Sequence, residues 1–304
     1  MTIRRNEPIR VTGKYFSWST AREKHFEFCP RAYFYQYYAA AGGFEKYSAA
    51  RQLYKLKHLT TVPFWIKSLL GECLRDWFYD VSGDIPPEKV MRRLLSWRFR
   101  KGIKSLSLQE WREDSKKLNL FEHYYEHSDL GDILESVTAA LTTAAKKLFQ
   151  SGLIARLEKV DQVNKVIFNP PLETNLGALK LWFAADLVWQ EDGKVNFLNI
   201  LVENESELSA VRMVLHRLYA MHQLKLSPDK VQSFGFLPSN GIVYRFDDSK
   251  LNVSECINHI KDSSAKLLQL HTDELREEEF IKSGNNCDNC RFQEFCRNRS
   301  LQLA

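Results

Sequence analysis

Three thiols stand in one short polar segment near the end of the chain, NNCDNCRFQEFC, at Cys287, Cys290 and Cys296. A tetrahedral zinc or a cubane iron–sulfur cluster usually takes four protein ligands. The fourth must therefore come from far away in the sequence. Cys73 and Cys256 each fall on an apolar helix face, beside Leu70, Leu74 and Trp77 in one case and Ile257 and Ile260 in the other. A free cysteine in such a place packs as a small hydrophobe. Cys29 differs: in FEFCPRAYFYQYY it is flanked by Pro30, Arg31 and a run of aromatics. That setting suits either a ligand or a half-buried thiol at a turn.

A second chemical signal is charge. The chain carries a net charge of +5, unevenly spread: residues 1–60 hold eleven Lys or Arg against four Glu, and Lys89 to Lys104, KVMRRLLSWRFRKGIK, holds seven basic residues and no acid. With Trp97 and Phe99 interleaved, Arg92, Arg93, Arg98, Arg100 and Lys101 become candidate nucleic-acid contacts, cations tracking phosphates while the rings stack on bases. The same pattern also fits a solvated helix face whose aromatics sit in the core.

The elements that must position these groups change character along the chain. From Tyr33 to about Gln150 apolar residues recur at three- and four-residue spacing, which predicts helices. After Val160 the period becomes two. KVIFNPPLE, LKLWFAADLVW and KVNFLNILVEN read as strands, with Asp192-Gly193 as a two-residue hairpin turn between the last two. A helix from about Leu208 to Leu224 follows, then strands around VQSFGFLPS and GIVYRF, and a helix from Val253 to Leu270. At 304 residues, 44% hydrophobic and 27% charged, the composition is that of a globular protein, one domain with a helical insertion or two packed lobes. No apolar run approaches the roughly 20 residues of a membrane span, and the N-terminus lacks a signal-peptide core. A cytoplasmic home is expected, where cysteines serve ligation or burial more than disulfides.

Both ends of the chain, FSWSTAREKHFEFCPRAYFYQYY and CDNCRFQEFC, resemble the RecB-like PD-(D/E)xK nucleases that carry an iron–sulfur cluster, among them AddB-type and CRISPR-associated exonucleases. The resemblance spans Ser17 to Cys296. It implies an α/β fold, a restriction-endonuclease-like core with an inserted helical lobe and an iron–sulfur-stapled C-terminal tail. The matching boundaries are an N-terminal segment over 1–60, a helical lobe over 61–159, a nuclease-like core over 160–250, and a C-terminal helix and cysteine cluster over 251–304. It also implies that Cys29, Cys287, Cys290 and Cys296 hold a four-iron four-sulfur cluster, with zinc on the same thiolates as the alternative. Such a centre would close a loop of roughly 260 residues and act as a staple.

The family's chemistry uses a helix histidine, an Asp ending one strand, and an Asp or Glu followed two residues later by Lys on the next strand. The carboxylates hold magnesium or manganese. Here the hairpin register, Glu191 opposite Lys194, puts Asp186 across from Asn199 and Ala184 across from Leu201. The second acid is thus replaced by Asn199 and the lysine by Leu201. In LLGECLRDWF the family's glycine is Gly71 and its histidine position is Arg75. A later Gln-x3-Tyr motif reads Leu215 and Tyr219. Asparagine offers a metal no charge, and leucine offers a phosphate nothing. Glu203 lies about 13 Å along the strand from Asn199, too far to share a metal with Asp186. Glu173 is the remaining acid from which a rearranged site with Asp186 could be built. The expectation is an inactive nuclease fold that binds DNA, or docks partners such as a helicase, ATPase or nuclease, in DNA repair, defence or mobile-element processing. The alternative is an active metal-dependent nuclease using Asp186 and Glu173.

Overall fold

The computed structural model describes residues 9–12, 16–41, 43, 48–79, 85–202 and 209–303. Glu203 lies outside them. The architecture is mixed α/β. Its helices are α1 (Thr20–Phe28), α2 (Pro30–Phe34), α3 (Ala49–Lys57), α4 (Val62–Tyr79), α5 (Pro87–Ser107), α6 (Phe121–Tyr124), α7 (Leu130–Gln150), α8 (Leu153–Leu157), α9 (Ala210–Gln223), α10 (Val253–Gln269) and α11 (Gln293–Leu303). The strands are β1 (Arg10–Thr12), β2 (Leu172–Leu176), β3 (Leu179–Phe183), β4 (Leu187–Glu191), β5 (Lys194–Ile200), β6 (Val231–Leu237), β7 (Ile242–Arg245) and β8 (Glu274–Arg276). Among the described residues no helix is long and apolar enough to cross a membrane. The chain divides into two compact units, one of residues 1–59, 105–121 and 259–304, the other of residues 60–104 and 122–258.

The second unit is organised by a sheet in the order β4-β5-β6-β7. β5 and β6 run parallel and are joined through α9, whereas the two outer pairings are antiparallel. From Val195 to Ile200 every residue of β5 is buried, as expected for a central strand covered on both faces. The β4–β5 hairpin has the register expected from its turn, Glu191 facing Lys194. Asp192 and Gly193 both take positive φ, 51° and 70°, the geometry that matches the twist of paired strands.

The long strand expected over LKLWFAADLVW is interrupted. β3 stops at Phe183 and pairs with β2 in a separate two-stranded sheet, and β4 starts at Leu187. The Asp186 N–H still donates to the Leu198 carbonyl at 2.8 Å, but at Ala184 the ladder has ended. There the Asn199 side chain donates Nδ2–H to the Ala184 carbonyl at 2.8 Å. Leu201, like Ala184, lies beyond the paired β4–β5 ladder, which ends at Leu187 and Leu198; its N–H donates to the Phe236 carbonyl of β6 at 2.8 Å. KVIFNPPLE is likewise strand only from Leu172, after Pro170 and Pro171, which have no N–H to give a ladder.

The first unit joins the two ends of the chain. β1 pairs antiparallel with β8, Arg10 opposite Arg276. Trp18, Tyr33, Phe34, Tyr35 and Phe280 are buried at its centre. Phe34 stacks on Phe280 with ring centroids 4.8 Å apart, and the Trp18 indole N–H donates to Ser263 Oγ at 3.0 Å.

Candidate functional site

Asp186 sits where β4 begins, and its surroundings come from α4. Gly71 passes so close that an added Cβ would stand 2.6 Å from Asp186 Oδ1. Asp186 Oδ2 accepts the Ile200 N–H at 2.7 Å. Burial pushes the carboxyl above its ordinary range; the Ile200 N–H and the charges of Lys67, Arg75 and Arg212 oppose that shift without cancelling it. Lys67 and Arg75 lie one turn before and one turn after Gly71, so one helix face carries both to the carboxyl. Arg212 arrives from the first turn of α9, whose start is fixed by Ser209 Oγ accepting the Arg212 N–H.

Asn199, 3% exposed, turns its amide nitrogen to Ala184, and its Oδ1 has no hydrogen-bond partner among the described residues. Leu201 is buried against Leu237, with Tyr244 and Phe246 packed on that pair. Glu173 lies on β2 opposite Trp182 and pairs with Lys180 at 2.9 Å. It is committed to its own hairpin. Tyr219 packs edge-on against Phe183 and Phe197, at centroid distances of 5.7 and 6.0 Å. The corner therefore offers one enclosed carboxyl, one neutral amide and three cations. These groups do not fit a divalent metal, whose charge the cations would oppose.

In the other unit Cys29, Cys287, Cys290 and Cys296 line one cavity of about 400 Å³. Burial pushes the Cys290 thiol up to about 11; the Phe292 N–H opposes this, and the thiols of Cys29, Cys296 and Cys287 add to it. Burial also raises Cys296, against the charges of Lys282 and Arg31. Among the described residues no three His, Cys, Asp or Glu groups are gathered as a ready site for a single metal ion. All four cysteines are instead among the residues that line the cavity. Arg31 holds Cys29 in place: its Nε donates to the Phe280 carbonyl at 2.6 Å and its Nη1 to Glu277 Oε1 at 3.0 Å. Glu277, 3% exposed, also accepts the Tyr35 hydroxyl at 2.5 Å and the Ile9 N–H at 3.2 Å. One buried carboxylate thus ties the Cys-Pro-Arg turn to the segment leading into the cysteine triplet. Cys73 and Cys256 are buried in the apolar interior, as their helix faces imply.

The α5 cations divide into two groups. Arg98 reaches from α5 to Glu72 at 2.5 Å and to Asp76, so its charge is matched within the fold rather than presented to a ligand. Arg92 pairs with Glu88 one turn back, and Arg100 bonds Ser96. Arg93 and Lys101 are exposed. Phe99, expected as a stacking ring, instead packs against Trp65 with centroids 5.6 Å apart. Trp97 is 54% exposed.

Lys67, Arg212 and Glu277 were missed in the sequence. Lys67 could have been found from its spacing, four residues before Gly71 as Arg75 is four after. Arg212 and Glu277 carry no such signal. One opens a helix and the other sits inside an acidic run, and only the fold brings them inward. No protein-family model matches this chain, and no curated protein matches it.

Proposed function

We propose that this protein is a cluster-bearing, nuclease-fold subunit that binds DNA without cutting it. The Asp186 corner carries the reading. Metal-assisted phosphodiester cleavage needs carboxylates that hold a divalent ion against the attacking water and the leaving group. Here Asp186 is enclosed by Gly71 and Ile200, the position where the resemblance puts the second acid is Asn199, and Lys67, Arg75 and Arg212 supply positive charge instead. Three cations favour an anion such as a backbone phosphate. The order α4, β2–β3, β4, β5, α9, β6, with a parallel β5–α9–β6 crossover, supports a PD-(D/E)xK core. The alternative site built on Asp186 and Glu173 loses support because Glu173 is paired with Lys180.

Cys29, Cys287, Cys290 and Cys296 would hold a four-iron four-sulfur cluster. All four cysteines line one cavity of about 400 Å³, which is what supports a shared centre there, with zinc on the same thiolates as the alternative. When bound, the cluster supplies a tie between the two chain ends. Strand cleavage or unwinding would fall to a partner subunit such as a helicase, ATPase or nuclease.

The test is strand binding as a function of salt, on anaerobically purified protein whose iron and sulfide have been assayed. Affinity should fall steeply as salt rises, and Arg75→Gln should reduce the slope by roughly 0.7–0.9, one phosphate contact. Salt-independent binding, or a slope unchanged in Arg75→Gln, would sink the phosphate role of this corner.

A further inference from the structure

We propose that the exposed face of α5 is a binding site for single-stranded DNA, with Trp97 as its base-stacking platform. This rests on the DNA-binding reading above and specifies the form of the strand. At 100° per residue, Lys89, Arg93, Trp97, Arg100, Lys101 and Lys104 share an arc of about 120°. The stripe they form is about 22 Å long, at 1.5 Å per residue. On the opposite face Met91, Leu95 and Leu106 are buried, so packing fixes which way the stripe points. The five cations of the stripe make no ion pair among the described residues.

Cations alone would suit any polyanion; the tryptophan narrows the class. Trp97 lies in the middle of the stripe, 54% exposed. The Lys101 ammonium stands 5.1 Å from its ring and the Arg98 guanidinium 5.6 Å. Arg98 is itself pinned by Glu72 and Asp76 on α4. The indole is therefore presented beside a fixed guanidinium, which lowers the ordering cost of binding against it. Stacking on an indole requires the open face of an unpaired base, and a duplex offers only phosphates and base edges. An acidic peptide or an anionic bilayer would engage the cations and gain no stack.

The experiment is fluorescence anisotropy on the full chain, with a labelled oligo-dT strand of about 20 nucleotides and a duplex of equal length. Trp97→Ala should weaken strand binding about ten-fold and change duplex binding less than about two-fold, while Trp97→Phe retains most of the strand affinity. Arg93→Glu with Arg100→Glu should weaken both and flatten their salt dependence. Unchanged oligo-dT affinity in a folded Trp97→Ala protein overturns the proposal. So does tighter binding to vesicles of anionic lipid or to poly-glutamate than to oligo-dT. If the α5 variants bind normally while Arg75→Gln fails, the α5 site is wrong and the DNA-binding reading stands. If neither strand nor duplex binds, that reading itself falls.

Discussion

At Gly71 there is no room for a methyl group, because a Cβ would meet Asp186 Oδ1 at 2.6 Å. Gly71→Ala should cost about 1–3 kcal/mol through overpacking, although alanine is the better helix former by about 1 kcal/mol. In an Asp186→Ala background most of that cost should vanish. Urea unfolding of the four proteins checks it, and equal costs in both backgrounds would show that the contact is not the cause. His216 supports a second prediction. It is fully buried, stacked on Phe197 at 4.3 Å, with Nδ1 bonded to Ser233 Oγ at 2.6 Å and Nε2 without a partner among the described residues. Burial, aided by the Arg212 charge, holds it well below its usual pKa of 6.5. The unfolded chain therefore takes up a proton near that value and the folded one does not. Stability is fully present above it and is lost as pH falls, by up to about 1.4 kcal/mol per pH unit. His216→Leu should flatten the dependence of unfolding free energy on pH over about two units below neutrality. A slope unchanged by the substitution would mean another group sets it.

Among elements, α5 shows how one helix divides its charges. Arg98→Met should cost about 1 kcal/mol or less, since its carboxylate partners are partly exposed. It should leave the salt slope of DNA binding intact, in contrast to Arg93→Glu with Arg100→Glu; a large loss of slope would return Arg98 to the binding surface. The helices, the β4–β5 hairpin and its register were legible in the sequence, because apolar period and Asp-Gly turn chemistry act over a few residues. The interruption at 184–186 was not. Local pattern continues through Phe183 and Leu187, and only the competing partner β2, together with the Asn199 bond to Ala184, divides the run. The same limit hid the environment of Leu201, set by β6 rather than by its hairpin partner. Of the Asp186 corner, Asp186, Asn199, Gly71 and Arg75 were readable from motif spacing. Arg212 was not, since α9 reaches the carboxyl only through the parallel crossover.

For the molecule as a whole, the Glu277–Arg31 network ties the two ends of the described chain together, and the four cysteines proposed as cluster ligands line one cavity beside it. The proposed cluster, bridging Cys29 to the triplet, would close a loop of roughly 260 residues, worth about 5–6 kcal/mol in the chain-entropy account. Cys296→Ser, or chelation of the iron, should remove visible absorbance and lower the melting temperature of the unit that contains both chain ends. Loss of absorbance with no change in melting would reduce the centre to a bystander. The most direct test of the central claim is a cleavage assay on anaerobically purified protein with its absorbance intact, using end-labelled single strands and duplexes with magnesium or manganese. The account predicts that the strands are bound and recovered at full length. Metal-dependent cleavage that disappears in Asp186→Ala would contradict it, and would mean the corner around Asp186 still holds a working metal centre.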